Sequence, residues 1–329
     1  MPKTVHPDRS PEVDAFTVIA HRGASGYLPE HTLEGAAMAH AMGTDFIEQD
    51  VVLTRDGMLI VLHDLFLDAV TDVAERFPDR SREDGLHYAI DFDLNEIRTL
   101  RVNERREPDG RATFPSRFPV GGNIFRVPTL EEEIILIQGM NQSTQRNVGL
   151  YIEPKSPAWH RQEGEDIMTE LLTVLSRYGY RSKSDRVRVQ SFDAMALKRA
   201  RNDLKTELTL VQLIGENSWG ESATDFDLLL TDAGLKDVST FADGIGPWLM
   251  QVVKFDSASG EPSFTPLVGR AHKQGLFIHA YTLRSDQLPD EMSDFDQALQ
   301  FLLEYSDLDG IFTDFPDKAT KILRRITSI

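Results

Sequence analysis

Short runs of β-branched and aromatic residues recur along the chain and alternate with longer segments of helical periodicity. The short runs predict eight strands, at residues 16–21, 45–51, 149–155, 186–192, 208–214, 242–248, 276–282 and 310–316. The clearest helical patterns lie at residues 32–43, 129–140, 166–180 and 193–204. Strands that alternate with helices form parallel sheets, and eight such units close a barrel. The pattern therefore predicts an α/β protein built as a (β/α)8 TIM barrel.

One section interrupts this alternation. Residues 52–64 read VLTRDGMLIVLHD, two apolar runs joined by an Asp-Gly pair, and this pattern indicates a β-hairpin. Residues 65–126 then form an irregular stretch that is too long for an ordinary loop. We interpret it as an insertion after the second barrel strand, within a single domain of residues 1–329. It is expected to overhang one end of the barrel, and its aromatic residues are expected either to wall a substrate site or to form a small satellite core: Phe66, Phe77 and Tyr88.

The composition excludes some classes of function. The chain has 329 residues, of which 40% are hydrophobic, and 35 basic against 53 acidic residues give a net charge of −18. Such acidity argues against a nucleic-acid partner, because phosphate backbones bind basic surfaces. No apolar stretch is long enough to span a bilayer, so stable membrane insertion is not expected. An anionic substrate would need a local cationic pocket, and the oligomeric state is left open.

Polar side chains gather at the carboxyl ends of the first three predicted strands, which is the working end of such a barrel. They are His21, Arg22, Glu48, Asp50, Glu153 and Lys155. Glu48 and Asp50 are two residues apart, so on a strand they point to the same face. Their carboxylates repel each other unless a cation lies between them, and Glu153 would supply a third oxygen ligand. Three carboxylates without a thiol predict one divalent cation, Mg²⁺ or Ca²⁺ rather than Zn²⁺.

The hairpin adds a second histidine. If its second strand runs back down, His63 returns to the level of Glu48 and Asp50. Two histidines beside a cation can divide the tasks of general base and general acid. Arg22 and Lys155 would supply the positive charge that a phosphate needs in an acidic protein. Each residue alone has a plain explanation as a capping group or a solvated charge, but together they predict metal-assisted phosphodiester cleavage.

The sequence resembles the glycerophosphodiester phosphodiesterase family in three stretches, HRGASGYLPEHT, FIEQDVVLTRDGMLIVLHD and YIEPK. It is similar to the calcium-dependent, periplasmic bacterial branch in two more, AVTDVAERFPDRSREDG and DGIFTDFPDKA. The resemblance implies a TIM barrel with an insertion. It also implies roles for the residues above: His21 and His63 as the acid–base pair, Glu48, Asp50 and Glu153 as metal ligands, and Arg22 and Lys155 as phosphate contacts. Many relatives carry Asn where this chain has His31, so the role of His31 stays open.

The implied activity is hydrolysis of glycerophosphodiesters, such as glycerophosphocholine and glycerophosphoethanolamine, to sn-glycerol 3-phosphate and an alcohol. The resemblance favours Ca²⁺, with Mg²⁺ as the alternative, and a periplasmic location, with a cytoplasmic one left open. Alternative functions are a lysophospholipase D or phospholipase C-like phosphodiesterase, and a non-catalytic glycerophosphodiester-binding protein. Gly23 and Gly26 are expected to keep the loop after the first strand thin enough for substrate to approach. Aromatic residues beyond the strand ends are expected to favour a choline cation: Trp159, Phe192, Trp248 and Tyr281.

Overall fold

The computed structural model describes residues 16–121, 124–256, 261–289, 291–292 and 294–327. Its strands are β1 (Thr17–Ala20), β2 (Phe46–Leu53), β3 (Leu59–Val61), β4 (Gly149–Pro154), β5 (Val187–Ser191), β6 (Thr209–Ile214), β7 (Gly244–Pro247), β8 (Val253–Phe255), β9 (Pro262–Phe264), β10 (Phe277–Leu283) and β11 (Gly310–Thr313). Its helices are α1 (Leu33–Met42), α2 (Val73–Arg76), α3 (Leu94–Ile97), α4 (Leu130–Thr144), α5 (Pro157–Gln162), α6 (Ile167–Arg177), α7 (Ala194–Asn202), α8 (Phe226–Leu229), α9 (Asp232–Val238), α10 (Leu249–Val252), α11 (Leu267–Lys273), α12 (Phe295–Tyr305) and α13 (Pro316–Thr327), with 3₁₀ turns at Ala89–Asp91 and Asn217–Trp219.

Eight strands close into a parallel barrel. The order is β1, β2, β4, β5, β6, β7, β10 and β11, and β11 pairs with β1 to complete the ring. Each predicted strand coincides with one of these eight, so the prediction of a TIM barrel is confirmed. Strand β3 pairs antiparallel with β2, in the register Val51 to Val61, which confirms the hairpin. Closure brings the carboxyl ends of all eight parallel strands to one face, called the mouth here.

Strand alternation decides which side chains enter the barrel. Strand β2 is buried on both faces. Its residues Glu48 and Asp50 point inward, while Gln49 between them points outward and donates to Glu133 of α4 over 3.0 Å. Parallel pairing sets Asp50 opposite Glu153 of β4, so carboxylates on neighbouring strands meet at the mouth. Below them the barrel is filled by a small apolar cluster of Ile19, Phe46, Tyr151, Val211 and Phe312.

The inserted segment, residues 65–126, has a core of its own. Leu67, Val73 and Phe92 are fully buried in a hydrophobic cluster separate from the main core. Phe77 packs edge-on against Phe92, with ring centroids 5.4 Å apart. Buried apolar area of this kind stabilises a segment that would otherwise be too long to be ordered as a loop. Phe77 therefore belongs to a satellite core on the barrel, whereas Phe66 and Tyr88 lie outside this cluster and contact each other.

Candidate active site

A cleft of about 250 Å³ opens at the mouth of the barrel. All seven residues that the sequence analysis singled out line it: His21, Arg22, Glu48, Asp50, His63, Glu153 and Lys155. Six of them lie on or directly after β1, β2 and β4, and the hairpin carries His63 back to the same level. Among the described residues of the insertion, none lines this cleft. The expectation that Phe66, Phe77 or Tyr88 would wall the substrate site is therefore not met.

His21 is held by a carboxylate from the opposite end of the sequence. Its Nδ1 lies 2.7 Å from Asp314 Oδ1, just after β11. The second oxygen of Asp314 accepts from Arg117 over 2.7 Å and from Arg284 over 2.8 Å. Burial alone would raise the pKa of Asp314, but the charges of Arg284, His21 and Arg117 hold it well below its ordinary value. The carboxylate therefore stays ionised and fixes the imidazole, whose other nitrogen is available to the cleft.

His63 has a matching arrangement. Its Nδ1 lies 2.7 Å from Asp64 Oδ1, and Asp64 Oδ2 accepts from Arg105 over 2.7 Å. Arg105 also holds both oxygens of Glu30, over 2.7 and 3.0 Å. Burial lowers the pKa of His63 to about 3 and, despite the charge of Asp314, that of His21 to about 4. Both imidazoles are therefore neutral near pH 7 and can accept a proton.

A buried cluster of carboxylates lies next to the histidines. Burial and the charge of Asp50 raise the pKa of Glu48 well above its ordinary value, and burial raises that of Glu153 to about 8. Atoms of His31, Glu48 and Asp50 that could bind a metal lie within 4.8 Å of one another. A divalent cation would favour the charged form of these carboxylates, so the donor set fits a metal with oxygen ligands.

His31 is a member of this cluster to which the sequence assigned no role. Its Nε2 lies 2.8 Å from Asp50 Oδ2, while its Nδ1 is buried without a hydrogen-bond partner. The left-handed backbone at His31, φ 58°, turns the chain back toward the site, and its N–H donates to the carbonyl of Arg22 over 3.1 Å. A hydrogen bond to a carboxylate that faces a cation orients that carboxylate. The sequence signals were the position of His31 in the loop after β1 and the Asn that many relatives carry there.

The two cations of the site are tied to the same carboxylates. Lys155 Nζ donates to Glu153 over 2.9 Å and lies 3.9 Å from Asp50. Arg22 donates to Glu30 from its side chain and, over 2.7 Å, to Glu48 from its backbone N–H. The Nε of Arg22 makes no hydrogen bond but lies 3.6 Å from Asp50 Oδ2. A guanidinium and an ammonium that both line the cleft can bind phosphoryl oxygens.

The glycines after β1 serve packing rather than substrate access. A Cβ at Gly23, where φ is 81°, would lie 2.9 Å from the backbone of Gly35 in α1. A Cβ at Gly26 would meet the ring of Phe315 at 2.4 Å. The two glycines therefore let the loop press against α1 and the start of α13, which corrects the role expected from the sequence.

One side of the cleft is aromatic. Phe192, Trp248 and Tyr281 line it as expected, but Trp159 stacks on Tyr88 at 5.5 Å and lies outside it. Trp219 lines the cleft instead, with its ring centroid 5.4 Å from that of Trp248. Glu221 completes this wall. Trp219 and Glu221 come from the irregular segment after β6, which gives no periodic sequence signal.

Two partly buried acid–base pairs, a carboxylate cluster that fits a metal and two cations in one barrel mouth are the parts that phosphodiester hydrolysis requires. Comparison with known proteins gives the family. The model of the glycerophosphoryl diester phosphodiesterase family matches residues 21–318. The chain is similar to the glycerophosphodiester phosphodiesterases of Haemophilus influenzae, at 44% identity over 94% of this chain and 90% of the relative, and of Treponema pallidum, at 36% over 93% and 91%. The chain belongs to the glycerophosphoryl diester phosphodiesterase family.

A solved structure agrees with this assignment. The crystal structure of a glycerophosphoryl diester phosphodiesterase candidate from Silicibacter pomeroyi matches with a TM-score of 0.72 and 26% identity. The match covers 95% of this chain and 94% of that chain. In the described parts of the chain, no helix combines the length and apolar character needed to cross a bilayer.

Proposed function

We propose that the protein hydrolyses glycerophosphodiesters to sn-glycerol 3-phosphate and an alcohol in a reaction that depends on one divalent cation. The observation that carries this proposal is the pairing of His21 with Asp314 and of His63 with Asp64, at 2.7 Å each, in the cleft that holds the carboxylate cluster. Binding alone does not require two oriented imidazoles, although an imidazole can donate a hydrogen bond to a phosphate. Hydrolysis uses both, because one proton must leave the nucleophile and another must reach the leaving alcohol.

The two histidines perform these proton transfers. One neutral imidazole removes the proton from the attacking hydroxyl. If that hydroxyl is water, sn-glycerol 3-phosphate and the alcohol form in one step; if it is the glycerol 2-hydroxyl, the alcohol leaves and a cyclic glycerol phosphate forms, which water then opens with the two histidines in exchanged roles. Its carboxylate partner, Asp314 or Asp64, stabilises the imidazolium that forms. The negative charge of the bound phosphodiester favours protonation of the other imidazole, which donates its proton to the departing alcohol oxygen. Arg22 and Lys155 bind the phosphoryl oxygens and stabilise the charge that develops on them.

Glu48, Asp50 and Glu153 would hold the cation, and His31 would orient Asp50. When bound, a divalent cation polarises the phosphoryl group and neutralises part of its charge. We propose Ca²⁺ rather than Mg²⁺, on the basis of the sequence resemblance described above. Ca²⁺ also tolerates a less regular set of oxygen ligands, whereas Mg²⁺ requires near-octahedral geometry. A periplasmic location is proposed on the same resemblance, and fractionation of the producing cell tests it.

The aromatic wall faces the alcohol or glycerol portion of the substrate. Ring faces of Trp219, Trp248 and Tyr281 beside the carboxylate of Glu221 suit a quaternary ammonium group. A cation over an aromatic ring gains about 0.5–2 kcal/mol, which corresponds to a preference of at most about thirtyfold. We therefore propose that the enzyme prefers glycerophosphocholine modestly and also accepts glycerophosphoethanolamine and glycerophosphoglycerol.

The direct test is release of sn-glycerol 3-phosphate from glycerophosphocholine by the purified protein. Release should stop after exhaustive chelation and return when Ca²⁺, or less effectively Mg²⁺, is added. His63→Ala is the matched control for a contaminating hydrolase, since it removes one proton-transfer group and leaves the carboxylate cluster intact. Release that survives both chelation and this substitution would refute the proposal.

A further inference from the structure

The insertion lines no part of the cleft among its described residues, yet it contacts both acid–base pairs from behind. Arg117 donates to Asp314 over 2.7 Å, and Arg105 donates to Asp64 over 2.7 Å. In each pair, one carboxylate oxygen faces the histidine and the guanidinium takes the other oxygen. The two arginines belong to one stretch of the insertion, residues 105–117.

That stretch is anchored to the satellite core. The N–H of Asn103 donates to Val70 O over 2.7 Å, and the N–H of Arg106 donates to Ala69 O over 2.9 Å. The N–H of Thr113 donates back to Arg105 O over 2.9 Å. The N–H of Arg117 donates to Phe114 O over 3.1 Å, so backbone hydrogen bonds hold both positions from which the guanidiniums reach the mouth.

Both guanidiniums are also held on their far side. Arg117 binds Asp286 through two donors, over 2.8 and 3.0 Å, and its side chain is 4% exposed. Arg105 binds Glu30 through two donors as well. A guanidinium fixed by a bidentate pair presents its remaining donor in one direction, so it restricts the rotation of the aspartate that accepts from it.

We propose that Arg105 and Arg117 are positioning residues for the hydrolysis: through Asp64 and Asp314 they fix the orientation of His63 and His21. The insertion then acts as a brace, meaning that it fixes the position and orientation of one acid–base pair relative to the other. This inference rests on the proposed function, because it assumes that the two histidines transfer the protons.

The contacts of Asp314 and Asp64 differ, and this difference predicts which arginine substitution lowers kcat more. Asp314 accepts from a second guanidinium, that of Arg284, over 2.8 Å. In the described part of the chain, Asp64 has Arg105 as its guanidinium partner without such a duplicate. Loss of Arg105 should therefore harm the reaction more than loss of Arg117. Arg105→Met should also weaken substrate binding somewhat, because Glu30 bridges Arg105 to the phosphate-binding Arg22.

The test compares Arg105→Met, Arg117→Met and the control Arg111→Met in the full-length, metal-loaded protein. Arg111 lies in the same stretch, but its exposed side chain pairs only with the nearby Asp109 among the contacts described. Partners that orient the ligands of a metal typically contribute about 10–100-fold to activity, and we expect the same range for partners that orient an acid–base pair. We expect kcat to fall about 100-fold in Arg105→Met and about tenfold in Arg117→Met, with KM of the latter within about threefold of the unaltered protein. Arg111→Met should keep the activity of the unaltered protein.

Two readouts separate positioning from a general loss of stability. Addition of guanidinium ion should restore part of kcat in Arg105→Met, and Asp64→Asn/Arg105→Met should be no slower than Asp64→Asn alone, because the arginine acts through the aspartate. The proton resonances of the His21 and His63 Nδ1–H groups should shift or disappear in the corresponding arginine variants. This spectroscopic change is independent of turnover, so an inactive parent protein would refute the proposed function and leave the brace testable.

If the methionine variants do not fold, Arg105→Lys and Arg117→Lys take their place. They retain the charge but not the forked geometry, and they should show the same order of losses in kcat. Equal activity of all variants and the unaltered protein, or unchanged histidine resonances in folded variants, would overturn the inference. So would additive losses of kcat in Asp64→Asn/Arg105→Met.

Discussion

Two histidine–aspartate pairs lie at the two ends of the same strand, β11. Asp309 precedes the strand and lies 2.8 Å from His272 Nε2, whereas Asp314 follows it and lies 2.7 Å from His21 Nδ1. The pair at the amino end also fixes the sheet, because Asp309 accepts from the backbone N–H of Ile278 over 2.8 Å. The pair at the carboxyl end faces the cleft. A short hydrogen bond between a histidine and an aspartate is therefore not by itself evidence of a catalytic group.

The two His–Asp pairs differ in the charge and burial of the groups around them. The mouth concentrates buried charge of both signs. Burial and the charge of Asp50 raise the pKa of Glu48, whereas at Asp50 burial is outweighed by neighbouring charges, chiefly that of Lys155, which lower its pKa. Folding such a cluster is costly unless the charges are paired or a cation joins them. The amino end of a TIM barrel has no such requirement and serves stability. The comparison predicts that substitutions at the mouth remove activity and that matched substitutions at the amino end of the barrel change only stability.

Removal of the cation should have the largest effect. Asp50→Asn and exhaustive chelation should each reduce kcat/KM by about 10³-fold or more, because a metal contributes several kcal/mol to stabilising the transition state and about 1.4 kcal/mol is tenfold. Calorimetric titration with Ca²⁺ should show one site in the unaltered protein and much weaker binding in Asp50→Asn. The matched variant Asp309→Asn should bind the ion normally. Normal binding and turnover in Asp50→Asn would remove this residue from the metal site.

Substitution of either histidine at the mouth should have the second-largest effect on activity. A positioned general acid or base contributes about 10²–10⁴-fold to the rate, so His21→Ala and His63→Ala should lower kcat by that factor. KM should change less, because Arg22 and Lys155 still bind the phosphate. Steady-state kinetics with glycerophosphocholine measures this, and circular dichroism checks the fold. Turnover within a few-fold of the unaltered protein would exclude the substituted histidine from proton transfer.

The strands and the residues on them were predictable from sequence because both follow short-range rules. Apolar runs gave all eight barrel strands, and the two-residue period set Glu48 and Asp50 on one face. The Asp-Gly turn returned His63 to the mouth. These inferences need only local pattern and the rule that barrel chemistry lies at the carboxyl ends of strands.

The partners of these residues were not predictable in the same way. Asp314 follows a barrel strand, so the same rule could have found it, but its contact with His21 spans 293 positions. Arg105 and Arg117 lie in a segment without periodicity, and His31 reaches Asp50 through a left-handed turn. Tertiary contacts between irregular segments leave no local pattern, so these residues could not be distinguished from the other charged residues by sequence alone.

Glu133, a buried carboxyl group just outside the barrel wall, provides a further test of the difference between the mouth and the rest of the barrel. Burial raises the pKa of Glu133 to about 7, although Gln49 donates to it. The folded protein then binds more protons than the unfolded chain between about pH 4.5 and 7, so stability falls as the pH rises through this range. Glu133→Gln removes the charge and keeps a carbonyl acceptor. It should add about 1–3 kcal/mol to the unfolding free energy at pH 8 and little at pH 4.5.

Urea unfolding of both proteins at the two pH values measures this effect. Turnover should remain unchanged, since Glu133 faces away from the cleft. An equal gain at pH 4.5 and 8 would show that the carboxyl does not titrate in this range. A loss of kcat comparable to that of His21→Ala would break the separation between the mouth and the rest of the barrel.

The smallest effect should come from the pair at the amino end of β11. His272→Ala removes one hydrogen bond from a side chain that is 20% exposed, so it should cost about 0.5–1 kcal/mol in unfolding free energy. Asp309→Ala should cost more, because it also leaves the N–H of Ile278 without this acceptor. In both variants kcat should equal that of the unaltered protein, whereas Asp314→Ala at the other end of the strand should reduce kcat strongly. The contrast is measured by urea unfolding and steady-state kinetics on the same three variants. A reduced kcat in folded His272→Ala would show that the amino end of the barrel contributes to the reaction.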